Sequence, residues 1–495
     1  MFGSIPDGIN CDEAFAGYEA YSVLISSFDS WGKKYPLYFI TGGGGTNVLY
    51  SYLSIPFIAL FGLETWVIRL PQLIFSLISV FVFYRLLKII YNKQTAYLGL
   101  FIIAIMPWHI ILSRWGFHGN IAPAFYLIAF YFYCKALKNI KNIWLAMFFW
   151  GLGCYTYDPI IAFILGSVFI SSLYLLLYNK KDKLLWYNLI GSSLLFAIVV
   201  FPVFLLFLIN NFNYEEINNS YFSIPKLPGW RGNEVNFSNI GQNLIILFNL
   251  LVKQTDNMIW NTINRFGLFY YISIPFILVG LFQTAKNAYI EIKNHKIIYN
   301  TSIISFFFFG ILYTSLFPAY SSNRVNFLFF FITIFITIGI SVFIKNKIVF
   351  LAIIFLYFCF FVDFERVYFG NYNMLAKDNF SIKFKEALKE AEKQHLQTNK
   401  EIHILYQQSE VTKLLFYNKI DNIAYKNTII WKNYPSAYLY AESFLYYKFF
   451  TPYDNINIQK DIIYIAPRYT RQVFTDALKN SNYQIKLFGD YIVVF

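Results

Sequence analysis

Charged residues are scarce in this chain. Asp, Glu, Lys and Arg make up 14% of its 495 residues, whereas a soluble globular chain carries about 25%. Hydrophobic residues make up 57%, and 57 Phe and 41 Tyr dominate the aromatic share. The shortage of charge argues against an ordinary soluble protein and indicates that lipid is its main solvent.

Cysteine is also rare, and no metal motif is present. The four cysteines show no zinc-finger spacing, so neither a disulfide framework nor a structural zinc is indicated. No His/Cys/Asp cluster has ligand spacing. We therefore expect no metal and no cofactor, with a divalent metal left open. The first ten residues are polar and give no signal peptide, and no lipidation motif is present.

The net charge of +13 does not indicate a nucleic-acid partner, because the lysines lie between apolar runs rather than on one basic face. They follow every odd-numbered apolar span, and the positive-inside rule places such connections in the cytoplasm. The alternate connections and the C-terminus then share the extracytoplasmic face of a cytoplasmic (inner) membrane. The lysines are Lys93, Lys135, Lys138, Lys141, Lys180, Lys181, Lys183, Lys286, Lys293, Lys296, Lys345 and Lys347.

Long apolar runs fill the middle of the chain. A spanning helix needs about 20 mostly apolar residues, and we predict about ten spans within residues 68–363, with a long outer loop at 210–265. Residues 1–67 form a first outer segment with a juxtamembrane helix at Val48–Leu63. The candidates are Ile68–Ile90, Thr95–Leu112, Ile121–Leu137, Ile143–Tyr157, Ile160–Tyr178, Leu184–Ile209, Phe266–Thr284, Ile297–Phe317, Val325–Ile344 and Ile348–Phe361.

Residues 364–495 change character. Helical and alternating patterns follow one another there, which predicts a small extracytoplasmic α/β domain after a mainly α transmembrane bundle. We predict helices at Ser381–His395 and Thr470–Asn480, strands at Glu401–Tyr406 and Asp461–Ile465, and a hairpin over Tyr483–Phe495.

An acidic pair, Asp12-Glu13, stands in the first outer segment. Adjacent carboxylates at a helix start commonly serve as caps and dipole partners. The functional alternative is a general base with a supporting carboxylate, because two like charges side by side raise one pKa.

The segment Ser113–Asn120 joins the second and third spans. Its ordinary interpretation is an interfacial turn with a snorkelling Arg114. The functional interpretation is an anion clamp, with His118 and Asn120 as polar contacts to a substrate.

Two more polar positions border apolar spans. Asp158, after Tyr157, either caps the next helix or points a carboxylate into a cavity with Tyr157 as a further contact. Arg324 precedes the ninth span, where an arginine at a helix start opposes the dipole, so an anion such as phosphate is the expected partner.

The order of these features resembles the GT-C superfamily of membrane glycosyltransferases, and in particular the family-39-type enzymes that include bacterial protein O-mannosyltransferases and lipid A aminoarabinose transferases. The resemblance covers roughly residues 5–345. It rests on Asp12-Glu13-Ala14, the stretch Leu60-Phe61-Gly62-Leu63-Glu64-Thr65-Trp66-Val67-Ile68-Arg69-Leu70-Pro71, the stretch Met106-Pro107-Trp108-His109 with Ser113-Arg114, and Asn323-Arg324.

This resemblance implies a sugar donor on a polyprenyl phosphate, used at the outer face, with Asp12 as base and Glu13 supporting it. Arg114 and Arg324 would bind the leaving phosphate, and attack opposite the phosphate would invert the anomeric centre. The acceptor would be a lipid, a glycan or a protein, and membrane lipid would surround the spans. Asp12 and the two arginines are expected to meet in one cavity.

The sequence departs from the family in two places. Members normally have a spanning helix before the acidic loop, whereas eleven residues precede Asp12 here, so that helix is either absent or truncated. Relatives often carry a basic residue where this chain has Asp158. Competing interpretations are a transporter or flippase and an outer-face glycan polymerase or ligase; a transporter would show repeated halves, which are not seen.

Overall fold

A computed structural model describes residues 3–179, 183–230, 237–405, 409–450, 457–479 and 482–495. The chain forms two compact units. Unit 1 comprises Met1–Leu70, Leu206–Arg231 and Tyr372–Phe495, and unit 2 comprises Pro71–Leu205 and Gly232–Asn371. The predicted boundaries at residues 67 and 363 stay predictions. Lys180, Lys181, Tyr406 and Asn480 of the predicted segments lie outside the described residues.

Unit 2 is built from helices, most of them apolar. A helix occurs at each of the ten predicted spans, but the second is divided at Met106, where Pro107 begins a new helix. The helices are α4 (Leu70–Ile90), α5 (Lys93–Ile105), α6 (Pro107–Leu112), α7 (His118–Ala136), α8 (Ile143–Gly153), α9 (Asp158–Asn179), α10 (Lys183–Asn211), α11 (Ile240–Lys253), α12 (Ile274–Lys293), α13 (Tyr299–Thr314), α14 (Phe329–Ser341) and α15 (Lys347–Leu375).

Four helices of the described part of the chain are long and apolar enough to cross a membrane by length and composition. They cover Thr65–Ile90, Asp158–Leu177, Lys183–Asn211 and Lys347–Leu375. The others are shorter or less apolar, and α11 lies within the predicted outer loop 210–265.

The ninth predicted span, near Val325–Ile344, begins less regularly than a continuous α-helix. Two short 3₁₀ turns, Ser322–Arg324 and Asn326–Leu328, come first, and α14 begins at Phe329. Arg324 therefore does not lie in the first turn of α14, and the argument that it opposes that helix's dipole does not apply.

Unit 1 begins with α1 (Cys11–Ser26), then a hairpin of β1 (Phe39–Thr41) and β2 (Gly44–Thr46), α2 (Leu49–Phe61) and α3 (Thr65–Ile68). The predicted juxtamembrane helix is α2. Gly17 lets α1 pack closely, because a Cβ there would lie 2.7 Å from the Phe416 ring and 2.9 Å from Ile68. This contact fixes α1 against the C-terminal part of the unit.

The C-terminal part of unit 1 is an α/β domain, as predicted. Its seven-stranded sheet has the order β10-β11-β9-β5-β8-β7-β6, and β5 runs parallel to β8 and β9. The elements are α16 (Phe384–Thr398), β5 (Ile402–Leu405), α17 (Ser409–Asn418), α18 (Asn422–Thr428), β6 (Ile430–Trp431), β7 (Ala441–Phe444), β8 (Tyr447–Phe450), β9 (Ile463–Pro467), α19 (Arg471–Ala477), β10 (Ile485–Phe488) and β11 (Tyr491–Val494); β3 (Ile217–Asn218) and β4 (Ser223–Ile224) pair separately in the long loop.

Candidate active site

The acidic pair opens α1, and the two carboxylates have different surroundings. The Asn10 side chain accepts from the backbone N–H of Asp12 at 3.0 Å, and the Asn10 N–H donates to Glu13 Oε2 at 3.1 Å. This reciprocal capping box fixes the first turn. It points Glu13 inward, where the side chain is fully buried, and leaves Asp12 exposed.

Glu13 forms a buried ion pair with Arg69. Arg69 Nε donates to Glu13 Oε1 at 2.7 Å and Nη2 donates to Oε2 at 2.8 Å, so the contact is bidentate. The same guanidinium donates to the carbonyls of Pro6 at 2.6 Å and Gly8 at 3.0 Å. Both Glu13 oxygens are thus occupied, and the pair attaches the N-terminal segment to α3. The supporting role of Glu13 beside Asp12 stays a prediction.

Asp12 lines a cavity of about 270 Å³ in unit 1. Its carboxylate is accessible from that cavity but is surrounded by protein, and the resulting loss of hydration raises its pKa to about 6. The neighbouring Glu13 charge raises the pKa further, and Lys413 lowers it. A carboxylate with a pKa near 6 is ionised at neutral pH and still basic enough to accept a proton.

Glu19 lines the same cavity two turns further along α1. Its carboxylate accepts from the Ser30 N–H at 2.9 Å and from the Ser30 hydroxyl. Burial raises its pKa well above the usual range, and nearby Asp29 adds to the effect. Burial also raises the pKa of Asp29. Hydrogen bonds that the backbone N–H groups of Lys33 and Trp31 donate to its carboxylate lower this pKa in part.

Three of the predicted contact residues meet at one corner of unit 2. The His118 ring lies 5.3 Å from the Tyr157 ring, edge to face. The Asn120 carboxamide is buried and accepts from Asn323 Nδ2 at 2.8 Å. Asn120 therefore joins the start of α7 to the turn that carries Arg324, which is half-buried.

Asp256 of the long loop completes this corner. Its Oδ2 accepts from the Ser322 N–H and from Asn261 Nδ2, each at 2.7 Å. These bonds hold the Ser321–Arg324 turn in place. The sequence interpretation missed Asp256 because nothing near it in the chain marks it as a partner of that turn.

Arg114 and Asp158 occupy different surroundings. The Arg114 guanidinium lies over the rings of Tyr368 and Phe369 at 5.8 and 5.5 Å, and Glu365 on the same helix interacts with its charge. Asp158 is exposed and starts α9, where a carboxylate favours the helix dipole. This position suits a partner of the helix dipole, and its roles as a cap and as a substrate contact stay predictions.

The sequence interpretation also missed Arg69 as the partner of Glu13, together with Glu19, Trp31 and Trp431 of the cavity. Arg69 could have been found, because it stands in the family-like stretch and an arginine there needs an anion. The others come together only through the fold. Among the described residues, no group of three or more His, Cys, Asp or Glu side chains is placed to hold a metal.

Comparison with known proteins gives three findings. Residues 47–207 match the family described as dolichyl-phosphate-mannose-protein mannosyltransferase. The crystal structure of ArnT from Cupriavidus metallidurans in the apo state is similar over 100% of this chain and 95% of that chain, with a TM-score of 0.57 and 10% identity. No curated protein matches the chain.

ArnT bound to undecaprenyl phosphate gives a TM-score of 0.58 at 11% identity, with the same coverage. The chain is therefore a membrane protein with the GT-C fold, mainly helical with a small C-terminal sheet. The resemblance to GT-C glycosyltransferases inferred from the sequence is confirmed.

Proposed function

We propose that this protein transfers a sugar from a polyprenyl-phosphate donor to an acceptor at the extracytoplasmic face of the cytoplasmic membrane, with inversion. The observation that carries the proposal is Asp12, an accessible carboxylate with a pKa of about 6 in a protein of GT-C fold. A capping box and a buried ion pair hold it in place. A general base needs these properties: access, a fixed position and a pKa near the working pH.

Asp12 would take the proton of the acceptor hydroxyl or amine. The acceptor's lone pair would form a bond to the anomeric carbon from the side opposite the phosphate. The bond between the anomeric carbon and the phosphate oxygen would break, and its electron pair would leave with polyprenyl phosphate. Because phosphate is already a stable anion, the leaving group needs a cation more than it needs a proton.

Arg324 and Arg114 are the proposed phosphate-binding groups. A guanidinium binds a phosphate bidentately. Arg324 is half-buried in a turn held by Asp256 and Asn120, so its backbone is fixed before any ligand arrives. Arg114 lies over two aromatic rings, and its charge already interacts with Glu365. We therefore assign it the smaller contribution to phosphate binding.

Two comparisons support a lipid-linked donor. ArnT, of the same fold, binds undecaprenyl phosphate in its solved structure, and the matched family is described by a dolichyl-phosphate-linked mannose. The distribution of lysines supports an extracytoplasmic site, because it places the N-terminal segment and the C-terminal domain on the face opposite the lysine-rich loops.

The experiment that tests the proposal follows labelled sugar. Membranes containing the protein are incubated with radiolabelled polyprenyl-phosphate sugars, and label is traced to lipid, glycan and protein fractions. Asp12→Asn should lower transfer by about a hundred-fold or more, because general base catalysis contributes that much. Arg324→Ala should weaken use of the donor.

Asp7→Asn is the matched control. Asp7 is an exposed carboxylate of the same segment and lies outside the cavity that Asp12 lines, so transfer should be unchanged. Wild-type transfer retained in both Asp12→Asn and Arg324→Ala would contradict the proposed site. Failure of the wild type to transfer any of the tested lipid-linked sugars would contradict the proposed function.

A further inference from the structure

The cavity that Asp12 lines has a composition that identifies a ligand. Asp12, Phe15 and Glu19 stand at positions i, i+3 and i+7 of α1, so they face one side of the helix over about 10 Å. The opposite parts of the wall come from other segments of unit 1. They include Trp31, which follows α1, and Trp431 of the edge strand β6.

The two tryptophans form one aromatic stack in the cavity wall. Their rings stack at 5.7 Å between centroids with an angle of 7° between planes, and both are half-buried. Buried Tyr18 and Tyr425 extend the aromatic lining. The face of an aromatic ring carries a negative electrostatic potential. It therefore attracts the polarised C–H groups on the flat side of a sugar ring.

The charge of the lining restricts the ligand further. Of the described residues that line the cavity, none is Lys, Arg or His, whereas Asp12 and Glu19 are carboxylic acids. A phosphate or other anion would meet like charge with no cation among the lining residues, because nearby Lys413 is buried and paired with Glu410. An acyl chain would cover the Asp12 carboxylate with apolar atoms, which costs it its hydration. Neither the phosphate of a donor nor a lipid tail suits this cavity.

We infer that this cavity binds the acceptor of the transfer reaction, and that the acceptor is a neutral or amino-bearing saccharide. The inference rests on the proposed function, because it is the transfer reaction that makes the ligand an acceptor. The sugar packs against the accessible part of the Trp31–Trp431 stack, its hydroxyl groups donate to Asp12 and Glu19, and the hydroxyl at Asp12 is the one that reacts.

Glu19 is suited to hold such a ligand. Ser30 fixes its carboxyl group, and burial favours the protonated form, which both donates and accepts a hydrogen bond. A sugar hydroxyl does the same. Asp12 and Glu19 thus have separate roles on one face of the helix. Asp12 takes the proton, and Glu19 positions the sugar ring.

The test measures saccharide binding without any lipid donor, so it is independent of whether transfer occurs. The full-length protein in lipid nanodiscs, free of sugar-based detergent, is titrated with methyl α-mannopyranoside, N,N′-diacetylchitobiose and glucosamine. Saturation-transfer NMR reports which sugar protons contact the protein. Mannose 6-phosphate and a Ser/Thr-containing peptide serve as the anionic and peptidic probes.

We expect at least one neutral or amino saccharide to bind, and Trp31→Ala and Trp431→Ala to weaken binding by about five-fold or more. Trp31→Phe keeps a ring and should retain binding. Thr41→Phe adds a ring to the cavity wall without removing an aromatic contact, and should block the sugar even if an alanine variant does not fold. Trp186→Ala removes an exposed indole of unit 2 and is the matched control.

Saccharide signals that are equal in the wild type, Trp31→Ala and Thr41→Phe would overturn the inference. So would preferential, Trp31-dependent binding of mannose 6-phosphate or of the peptide. Binding of the neutral sugar with no transfer activity would leave the saccharide site standing and refute the proposed function. Transfer to a protein acceptor without sugar binding would do the reverse.

Discussion

Unit 1 buries ionisable side chains near the start of the chain. The corner of unit 2 that carries Arg324 is held instead by hydrogen bonds that side-chain amides and a backbone N–H donate. Glu13 and Arg69 form a buried ion pair, and Glu19 and Asp29 are buried carboxyl groups. In unit 2, Asn323 bonds Asn120, and Asp256 receives two N–H groups.

This difference separates two tasks. Buried ionisable groups are costly when they lack a partner. The Glu13–Arg69 pair helps fix the position of Asp12, and the Glu13 charge adds to the rise in its pKa that loss of hydration causes. The hydrogen bond between the Asn323 and Asn120 side chains is worth less and joins two groups that do not titrate. It suits a corner whose task, together with Asp256, is to hold a turn. Four experiments break or sharpen the contrast, from the largest expected effect to the smallest.

Arg69→Met breaks the buried ion pair between Arg69 and Glu13 in unit 1. The variant leaves the Glu13 carboxylate buried without its bidentate partner, and such a loss destabilises by about 3–5 kcal/mol. We expect a clear fall in the midpoint of thermal unfolding and earlier proteolysis of the first segment. The double variant Glu13→Leu/Arg69→Met should recover part of the loss, because no charge is then left unpaired.

Lys385→Met is the matched control for Arg69→Met. Lys385 pairs with Glu64 at 3.4 Å, and both side chains are more than one third exposed, so we expect a loss of about 1 kcal/mol or less. Equal effects of the two substitutions would mean that burial does not distinguish the pairs. The contrast between the units would then lose its basis.

Asn323→Ala removes the hydrogen bond between the Asn323 and Asn120 side chains in unit 2. It leaves the buried Asn120 Oδ1 without its donor, which costs about 1–3 kcal/mol. Thermal unfolding at pH 6 and pH 8 should show the same loss, since no titrating group is involved. Asn188→Ala removes an exposed acceptor of the Trp144 indole and should be nearly neutral; a strong pH dependence of the Asn323 loss would contradict this explanation.

The sequence predicts the catalytic carboxylate of the candidate site but not the aromatic residues of its cavity. Asp12 could be predicted, because an acidic pair before a family-like stretch is visible along the chain. Trp31 and Trp431 could not, since they are 400 positions apart and stack only after the C-terminal sheet packs beside α1. The same holds for Gly17, whose importance depends on Phe416.

Helix ends were the weaker part of the prediction. Apolar composition predicts where helices lie, but it does not show where a regular helix starts. Arg324 is therefore predicted at the start of a span, whereas it lies in a 3₁₀ turn ahead of α14. Pro107 divides the second span for a reason that is visible in the sequence, because proline favours the first turn of a helix.

The pH profile of transfer tests the ionisation of Asp12. Its pKa is raised to about 6, so the basic form predominates at pH 7 and is lost on acidification. We expect the rate at limiting acceptor to fall about ten-fold per pH unit well below pH 6. The measurement is initial transfer rate from pH 4.5 to 8.5; a flat profile down to pH 5 would contradict Asp12 as the base.

Glu19→Gln gives the smallest expected effect and sharpens the contrast most directly. Burial raises the pKa values of Glu19 and Asp29 in the folded protein, and the nearby Asp29 charge raises the pKa of Glu19 further. Above about pH 4, where unfolded carboxyl groups ionise, the folded state holds more protons than the unfolded one. The free energy of unfolding therefore falls as pH rises through the folded pKa values.

Glutamine keeps the shape of Glu19 and can still accept from the Ser30 N–H while its amide donates to the Ser30 hydroxyl. The variant removes one titrating group, so stability should depend less on pH, with a gain of about 1 kcal/mol at pH 8 relative to pH 5. Thermal unfolding of both proteins at these two pH values measures the difference. An unchanged pH dependence would show that Glu19 is ionised in the folded state, which would remove the proposed hydrogen-bond donor from the cavity.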